Sequence, residues 1–324
     1  MTTKRSDVVI PGEEHVYHCT SRCVRRAFLC GYDCLTKKNF DYRKQWIRER
    51  LEYLTTIFTI EVIAFAIMCN HSHEMLRTRP DLLKSLTDEE VAIRWLTLYP
   101  KGVNPDGTPN KDSILALTKS KKMIKKLRKR LDCISWFMKS INEYIARLCN
   151  AEDEVTGRFW EGRFQCERLE GEGALLACAV YVDLNPVRAG MAETPEESLY
   201  TSVWERISHY KSKEPLEDVS WLTPIQDTES RKGFLSMELG DYLRIVDYTG
   251  KERRKDKRGA IPSDIAPILT RLELNVDEWF SVTEDLDTIF GRIVGNAQAL
   301  AQAAKKVNKR WFHGVSAARR VFVT

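Results

Sequence analysis

Two histidines separated by one residue, His71 and His73, are the first residues of this sequence whose types and spacing could support chemistry. Alternate side chains of a β-strand lie on one face, so a strand here would direct both imidazoles the same way. Two neutral imidazoles held close together are natural ligands for a divalent cation. Two unrelated surface histidines would give the same spacing, so the pair needs support from other residues.

A tyrosine and an asparagine in a predicted helix, Gly173 to Leu184, form the second candidate pair. Tyr181 and Asn185 lie four residues apart, and residues at that spacing share a helix face. Tyrosine can supply a nucleophilic oxygen and asparagine a neutral carbonyl ligand. The alternative is that Tyr181 is a core aromatic residue and that Asn185 ends the helix before Pro186.

Three longer motifs contain these residues and follow one another along the chain. They are Met68-Cys-Asn-His-Ser-His73, Gly157-Arg-Phe-Trp-Glu-Gly-Arg-Phe164 and Tyr181-Val-Asp-Leu-Asn-Pro-Val-Arg-Ala-Gly190, supported by Arg22-Cys-Val-Arg-Arg-Ala-Phe28 and Tyr200-Thr-Ser-Val-Trp204. Together they resemble the REP-associated tyrosine transposases, a branch of the single-tyrosine transposases of the HUH endonuclease superfamily. The resemblance covers roughly residues 11–210, and its most specific part is the motif that begins at Tyr181.

The resemblance implies a function and a role for each candidate residue. Tyr181 would be the nucleophile, while His71, His73 and Asn185 would hold Mg²⁺ or Mn²⁺. The enzyme would nick and rejoin single-stranded or hairpin DNA, at palindromic repeats or element ends, through a 5′-phosphotyrosine intermediate. The fold implied is a ferredoxin-like sheet.

One departure from the family pattern lies between and after the histidines. The family usually has a hydrophobic residue where this chain has Ser72, and Glu74 follows. Both should lie on the strand face opposite the histidines, where Ser72 could bond locally and Glu74 could reach solvent or a nearby cation. The departure leaves an alternative open, a catalytically silent DNA-binding regulatory protein derived from such an enzyme. A metal-dependent hydrolase that uses water is a further alternative.

The pattern of apolar residues predicts the elements that must position these side chains. Strands are expected at His15 to Val24, Ile60 to Met68, His71 to Leu76 and Phe159 to Leu169, with a helix capped by Asp41 after the first. The order predicts an α+β protein with a ferredoxin-like split βαβ antiparallel sheet and packed helices. Residues 1–210 would form the nuclease domain, with a helical insertion near 80–130. Residues 211–324 would form a mostly helical accessory domain.

The insertion is predicted to be helical from two signals. Thr87 and Glu90 fit a capping box. Apolar residues then recur as the a and d positions of four heptads in one long helix, at Ile124, Leu127, Leu131, Ile134, Met138, Ile141, Ile145 and Leu148. This seam allows a homodimeric coiled coil, although packing on the chain's own sheet is the favoured interpretation.

Basic residues are clustered although the net charge is only +5. Eight of the twelve residues 119–130 are Lys or Arg, and further clusters occupy 251–258 and 305–310. Such clusters fit a polyanionic partner, although solvated helix faces would look the same. The predicted DNA-backbone contacts are Lys121, Lys122, Lys125, Lys126, Arg128, Lys129 and Arg130. Arg158, Trp160 and Arg163 are predicted to contact unpaired bases, with Trp160 as ordinary core the alternative.

The cysteines and the N-terminus favour a cytoplasmic location. The nine cysteines are an odd number, and the first residues lack the apolar segment of a signal peptide, so reduced thiols are expected. Cys19, Cys23, Cys30 and Cys34 could ligate zinc, but small buried residues are the favoured interpretation. No apolar stretch reaches the ~20 residues that span a bilayer, so a membrane is not expected as a partner.

Overall fold

A five-stranded, mainly antiparallel sheet lies at the centre of the computed structural model, which describes residues 4–24, 27, 29–34, 37–212, 221–251, 274–275 and 278–322. The strands are β1 (Val16–Arg22), β2 (Tyr32–Asp33), β3 (Lys38–Asn39), β4 (Ile60–Ile67), β5 (His71–Thr78), β6 (Gln165–Leu169) and β7 (Ile293–Val294). The order in the large sheet is β4-β5-β1-β6-β7, with β7 parallel to β6 and the other pairs antiparallel. The first four of these strands have the ferredoxin-like order, which confirms the predicted α+β class.

Helices cover both faces of this sheet. They are α1 (Arg5–Val8), α2 (Arg43–Ile57), α3 (Pro80–Ser85), α4 (Asp88–Leu98), α5 (Lys111–Thr118), α6 (Lys121–Leu131), α7 (Ile134–Glu152), α8 (Glu172–Asp183), α9 (Asn185–Arg188), α10 (Ser202–Ser212), α11 (Leu239–Lys251), α12 (Trp279–Glu284), α13 (Leu286–Ile289), α14 (Ala297–Lys306) and α15 (Val315–Val321). None of the helices described is long and apolar enough to cross a membrane.

Helices α2 and α7 pack on one face of the sheet, and α4, α5 and α6 pack beside them. The capping box at α4 is confirmed, since Thr87 accepts from the Glu90 backbone and Glu90 bonds back to the Thr87 backbone. The cap predicted for α2 is wrong. Tyr42 holds the N-cap position without a side-chain bond, and Asp41 instead pairs with Lys44 at 2.6 Å.

The long helix predicted in the insertion is two helices, α6 and α7, with a break at Asp132 and Cys133. The backbone N–H of Thr59 donates to the Leu131 carbonyl at 2.9 Å, and the Thr59 hydroxyl lies 3.3 Å from Oδ1 of Asp132. These contacts with the start of β4 occupy the end of α6. Both helices still turn their apolar residues inward, and the heptad positions from Ile124 to Ile145 are buried in the core of the chain. The apolar seam therefore packs within the chain, as the favoured interpretation predicted. A homodimer stays a prediction.

The opposite face of the sheet is covered by α8 and by helices of the C-terminal region. Helices α11, α12 and α13 pack on α8, and one continuous core joins them to the sheet. The strand β7, which also comes from this region, extends the sheet beyond β6. The described residues beyond 221 thus contribute directly to the surroundings of α8, while the division into two domains at residue 211 stays a prediction. Most of the expected boundary segment, 211–217, and of the basic cluster 251–258 lies outside the described residues.

Glu74 corrects one expectation about the sheet. It was expected to reach solvent or a cation, but it is 0% exposed, and neither carboxyl oxygen has a hydrogen-bond partner of ordinary geometry. Its neighbours across the two flanking strands are Cys19 and Phe65. Burial raises the pKa of Glu74 to about 7, and the nearby Ser72 hydroxyl opposes this effect only in part. The carboxyl group is therefore neutral over part of the physiological pH range.

Candidate functional site

The paired histidines lie on β5, next to β1 in the middle of the sheet. His71 is opposite Arg22 and His73 is opposite Thr20. Their ring centroids are 4.9 Å apart. Nδ1 of His71 donates to Oδ1 of Asn70 at 2.6 Å, which leaves Nε2 as the nitrogen with the free lone pair.

The environment of the two imidazoles keeps them in the form that binds metals. Burial lowers the pKa of His71 to about 4, and the charge of Arg22 adds to this effect. Burial, followed by the charges of His71 and His18, lowers the pKa of His73 well below its usual value. Nε2 of His73 is buried and has no hydrogen-bond partner among the described residues. Neutral rings with an orphaned buried nitrogen fit a pair of divalent-metal ligands.

Tyr181 lies on α8 and places its ring against the histidines. Its ring centroid is 5.6 Å from that of His73 and 5.9 Å from that of His18, in edge-on orientations. The Tyr181 hydroxyl donates to Oδ2 of Asp287 at 2.9 Å. Burial and the negative charge of Asp287 raise the pKa of this phenol above its usual value. The Arg188 guanidinium lies over the Tyr181 ring, 5.4 Å from its centroid.

Three further residues, which lie outside the motifs that indicated the site, belong to this cluster: His18 on β1, Glu167 on β6 and Asp287 on α13. Nδ1 of His18 is 3.3 Å from Oε2 of Glu167 and 3.6 Å from Oδ1 of Asp287. Nε2 of His18 is 2.9 Å from Nδ1 of His73. One ligand atom from each of His18, Glu167 and Asp287 lies within 4.8 Å of the other two. A chain of polar contacts therefore runs from Tyr181 through Asp287 and His18 to His73.

The charge state of His18 follows from its position between two carboxylates. Burial acts to lower its pKa, but the hydrogen bond to Glu167 and the charge of Asp287 outweigh burial and raise it. Burial also raises the pKa of Glu167, against the effect of His18.

Asn185 lies at the start of α9, directly after the helix that carries Tyr181. Its Nδ2 donates to the backbone carbonyl of Tyr181 at 2.9 Å, so the two residues are in contact as their spacing predicts. The Arg188 guanidinium bonds to the same carbonyl at 3.3 Å. The amide oxygen of Asn185 is not used by these contacts, and its role as third metal ligand stays a prediction.

Asp183, in the middle of the same motif, has a structural role. It is 0% exposed and accepts hydrogen bonds from the Ser202 hydroxyl, the Val203 backbone and the Tyr242 hydroxyl. These contacts attach the end of α8 to the start of α10 and to α11. The motif therefore combines the candidate nucleophile with a buried anchor that fixes its helix.

The basic residues of α6 lie on the layer of helices opposite α8. Lys122, Lys125, Lys126 and Lys129 are exposed. The remaining three are engaged within the chain. Lys121 and Arg128 pair with Asp88, each at 2.9 Å, and Arg130 lies over the Trp136 ring at 4.1 Å. Four of the seven predicted backbone contacts are thus presented to solvent without these constraints.

The three residues predicted to contact bases line one cavity of about 570 Å³, together with Lys139 and Phe164. Arg158 and Arg163 are exposed. Trp160 is half-buried, and its Nε1 donates to the Asn142 carbonyl at 2.8 Å. The backbone N–H of Glu161 donates to the Arg22 carbonyl at 2.8 Å, and Arg22 is opposite His71. The cavity therefore lies at the end of the sheet that carries His71.

The cysteines considered for zinc do not form a ligand group in the described part of the chain. Cys19 contacts Cys166, whereas Cys23 contacts Cys30. These thiols are buried and free, while Cys34 is exposed. The metal-capable group found within the described ranges contains no cysteine. Small buried side chains, the favoured interpretation, account for the first three positions.

The fold and the site define an α+β protein in which a helix-borne tyrosine faces a pair of strand-borne histidines. No family model and no curated protein matches the chain. Among solved structures, it is similar to a REP-associated tyrosine transposase bound to a REP hairpin, with 14% sequence identity and a TM-score of 0.39, over 73% of this chain and 100% of that one. The function of the present chain therefore has to be inferred from its own side chains.

Proposed function

We propose that this protein nicks and rejoins single-stranded or hairpin DNA through a 5′-phosphotyrosine on Tyr181. The observation that carries the proposal is the 5.6 Å separation between the ring centroids of Tyr181 and His73. The rings of Tyr181 and His73, from separate elements, are in contact, and His71 adjoins His73. That combination suits transesterification at a phosphodiester, in which the protein must position a nucleophile against a polarised phosphate.

A divalent cation fits the two imidazoles. His71 and His73, with Asn185 as third ligand, would hold Mg²⁺ or Mn²⁺, and imidazole ligands favour Mn²⁺ intrinsically. When bound, the ion would polarise a non-bridging phosphate oxygen and fix the orientation of the phosphate. Asn70 holds the His71 ring by its other nitrogen, as the supporting residues of metal ligands commonly do.

Tyr181 would perform the bond exchange. Its oxygen attacks phosphorus, the bond from phosphorus to the 3′ oxygen breaks, and the 3′ oxygen leaves as a hydroxyl after gaining a proton. Oδ2 of Asp287 is the acceptor for the phenol proton, because the hydroxyl already donates to it at 2.9 Å. The Arg188 guanidinium, 5.4 Å from the ring, supplies positive charge near the developing anion.

The second half of the reaction follows from the covalent link. A 3′-hydroxyl attacks the phosphotyrosine, the new phosphodiester forms, and Tyr181 leaves with its proton restored. The phosphotyrosine bond conserves the energy of the original phosphodiester, so rejoining requires no nucleoside triphosphate. Exposed lysines of α6 would contact the DNA backbone, and the cavity with Arg158, Trp160 and Arg163 would hold unpaired bases.

The test is covalent capture of DNA. The full chain is mixed with Mn²⁺ and a labelled single-stranded DNA that contains a palindromic hairpin, and the mixture is then resolved on a denaturing gel. We expect an adduct with wild-type protein and with the control Tyr144→Phe, whose exposed tyrosine lies on α7, and none with Tyr181→Phe. Tight binding without an adduct in the wild type would refute the proposed chemistry and support the silent DNA-binding protein.

A further inference from the structure

We infer that His18, Glu167 and Asp287 form a divalent-cation site of their own, separate from the His71 and His73 pair. The three residues come from β1, β6 and α13, so the sheet and the C-terminal region both contribute to it. This site goes beyond the proposed DNA chemistry, because it would bind an ion whether or not the protein cuts DNA.

The distances between the ligand atoms carry the inference. Nδ1 of His18 is 3.3 Å from the nearest oxygen of Glu167 and 3.6 Å from that of Asp287. Nitrogen and oxygen ligands at 2.0–2.2 Å around a tetrahedral ion are separated from one another by roughly 3.4 Å. These two distances match the edges of a coordination polyhedron, and the ligand atoms of Glu167 and Asp287 lie within 4.8 Å of each other.

The composition of the group indicates which ions it would take. One imidazole nitrogen and two carboxylate oxygens suit Mn²⁺, Fe²⁺ or Zn²⁺ better than Ca²⁺, which prefers a larger set of oxygens. The two carboxylates together balance the charge of a divalent ion. His18 is 2% exposed and Glu167 is 6% exposed, whereas the Asp287 side chain is 40% exposed. Asp287 therefore lies on the solvent side, where an ion would enter.

The site adjoins Tyr181, and it leaves free the Asp287 oxygen that accepts the hydrogen bond from the Tyr181 hydroxyl. Oδ1 of Asp287 faces His18, while Oδ2 accepts the hydrogen bond from Tyr181. An ion held through Oδ1 would replace the proton that His18 shares with the carboxylates and would place positive charge close to the phenol. It would also fasten α13 to the sheet, because two of its ligands are on central strands.

The site lies beside the histidine pair. Nε2 of His18 is 2.9 Å from Nδ1 of His73, so the two metal positions are neighbours that share no ligand.

The experiment measures Mn²⁺ binding to the metal-free full chain by titration calorimetry, with the loss of the free Mn²⁺ spin-resonance signal as a second readout. We expect Glu167→Gln and Asp287→Asn each to weaken Mn²⁺ binding at this site by about tenfold or more, since removing even a supporting residue commonly has such an effect. Glu284→Gln, which changes an exposed carboxylate on the neighbouring helix α12, should leave the affinity unchanged. In His71→Ala the ion at His18, Glu167 and Asp287 should still bind. Unfolding curves confirm that each variant is folded.

The outcomes separate this site from the proposed function. If Glu167→Gln and Asp287→Asn bind Mn²⁺ like the wild type while His71→Ala does not, the ion belongs to the histidine pair and the inference is overturned, although DNA cutting could persist. If the second site binds the ion but no adduct forms with DNA, the inference stands and the proposed function fails.

Discussion

The hydroxyl of Tyr181 donates a 2.9 Å hydrogen bond to Asp287, a residue 106 positions later in the chain. This contact links the helix of the candidate nucleophile to the C-terminal region, which lies beyond the motifs that drew attention to the tyrosine. The carboxylate has two opposing effects on the phenol. It offers an acceptor for the proton, and its negative charge raises the pKa of Tyr181.

Substitution of Asp287 separates these two effects. Asp287→Asn should slow adduct formation by about 10²-fold, because a positioned proton acceptor typically contributes that much or more. The same change should lower the pKa of Tyr181, so the loss of rate relative to the wild type should become smaller as the pH rises towards 10. Single-turnover adduct formation between pH 7 and pH 10 measures both, with Glu284→Gln as control. An unchanged rate in Asp287→Asn would show that another group accepts the proton.

A second prediction distinguishes attack by tyrosine from attack by water. If Tyr181 is the nucleophile, Tyr181→Phe and His71→Ala should each abolish strand cleavage, because one removes the attacking oxygen and the other a metal ligand. A hydrolase that uses water would continue to cut in Tyr181→Phe and would stop only in His71→Ala. Denaturing gels of end-labelled DNA distinguish these results, and gel-shift measurements show whether each variant still binds DNA.

The sequence predicted those features that depend on local periodicity. The strands at residues 16–22 and 60–67 and the capping box of α4 follow from residue spacing within a single element. The break at Asp132 was missed because the apolar positions continue in phase from α6 into α7. The cap at Asp41 was wrong because its carboxylate pairs with Lys44 instead of the backbone.

The candidate site was predicted only where its residues lie in recognisable motifs. His18 is on β1, which is next to β5, and Glu167 is on β6, the next strand beyond β1, so the ferredoxin-like order places both on the same side of the sheet's centre as His73. Asp287 has no such signal. It reaches the site because α13 packs on α8, and that packing depends on tertiary contacts far apart in sequence.

The basic helix gives a third prediction. Replacing the exposed Lys125 and Lys129 of α6 with alanine should weaken DNA binding about equally for all sequences and should reduce the salt dependence of the affinity, since fewer phosphate contacts release fewer counterions. Arg128→Ala should instead lower thermal stability, because this side chain bonds to the Leu83 and Leu86 carbonyls and to Asp88. Binding titrations at several salt concentrations, with unfolding curves, separate the two roles.

The end of α6 should make stability depend on pH. Burial raises the pKa of Asp132 to about 6 from a usual 3.8, against the bond from Thr59. The folded state thus holds the proton more tightly, so stability is greatest at low pH and is lost as pH rises from about 4 to about 6. Asp132→Asn should therefore raise the free energy of unfolding by about 2–3 kcal/mol at pH 7.5 and by much less at pH 4. Urea unfolding at both pH values measures the difference, and an equal gap at the two would contradict it.

Glu74 offers a stability test that leaves the metal face untouched. Both of its carboxyl oxygens are buried without a hydrogen-bond partner of ordinary geometry, between the apolar or weakly polar neighbours Phe65 and Cys19. Burying such a group costs roughly 1–3 kcal/mol, so Glu74→Leu should raise the free energy of unfolding by about that amount at pH 8. The control variant Glu89→Leu, which changes an exposed side chain, should have little effect.

Because successive strand residues point to opposite faces, Glu74→Leu should also keep the Mn²⁺ affinity and the adduct yield of the wild type. A lower free energy of unfolding in Glu74→Leu would contradict this prediction and would show that the carboxyl group stabilises the folded state.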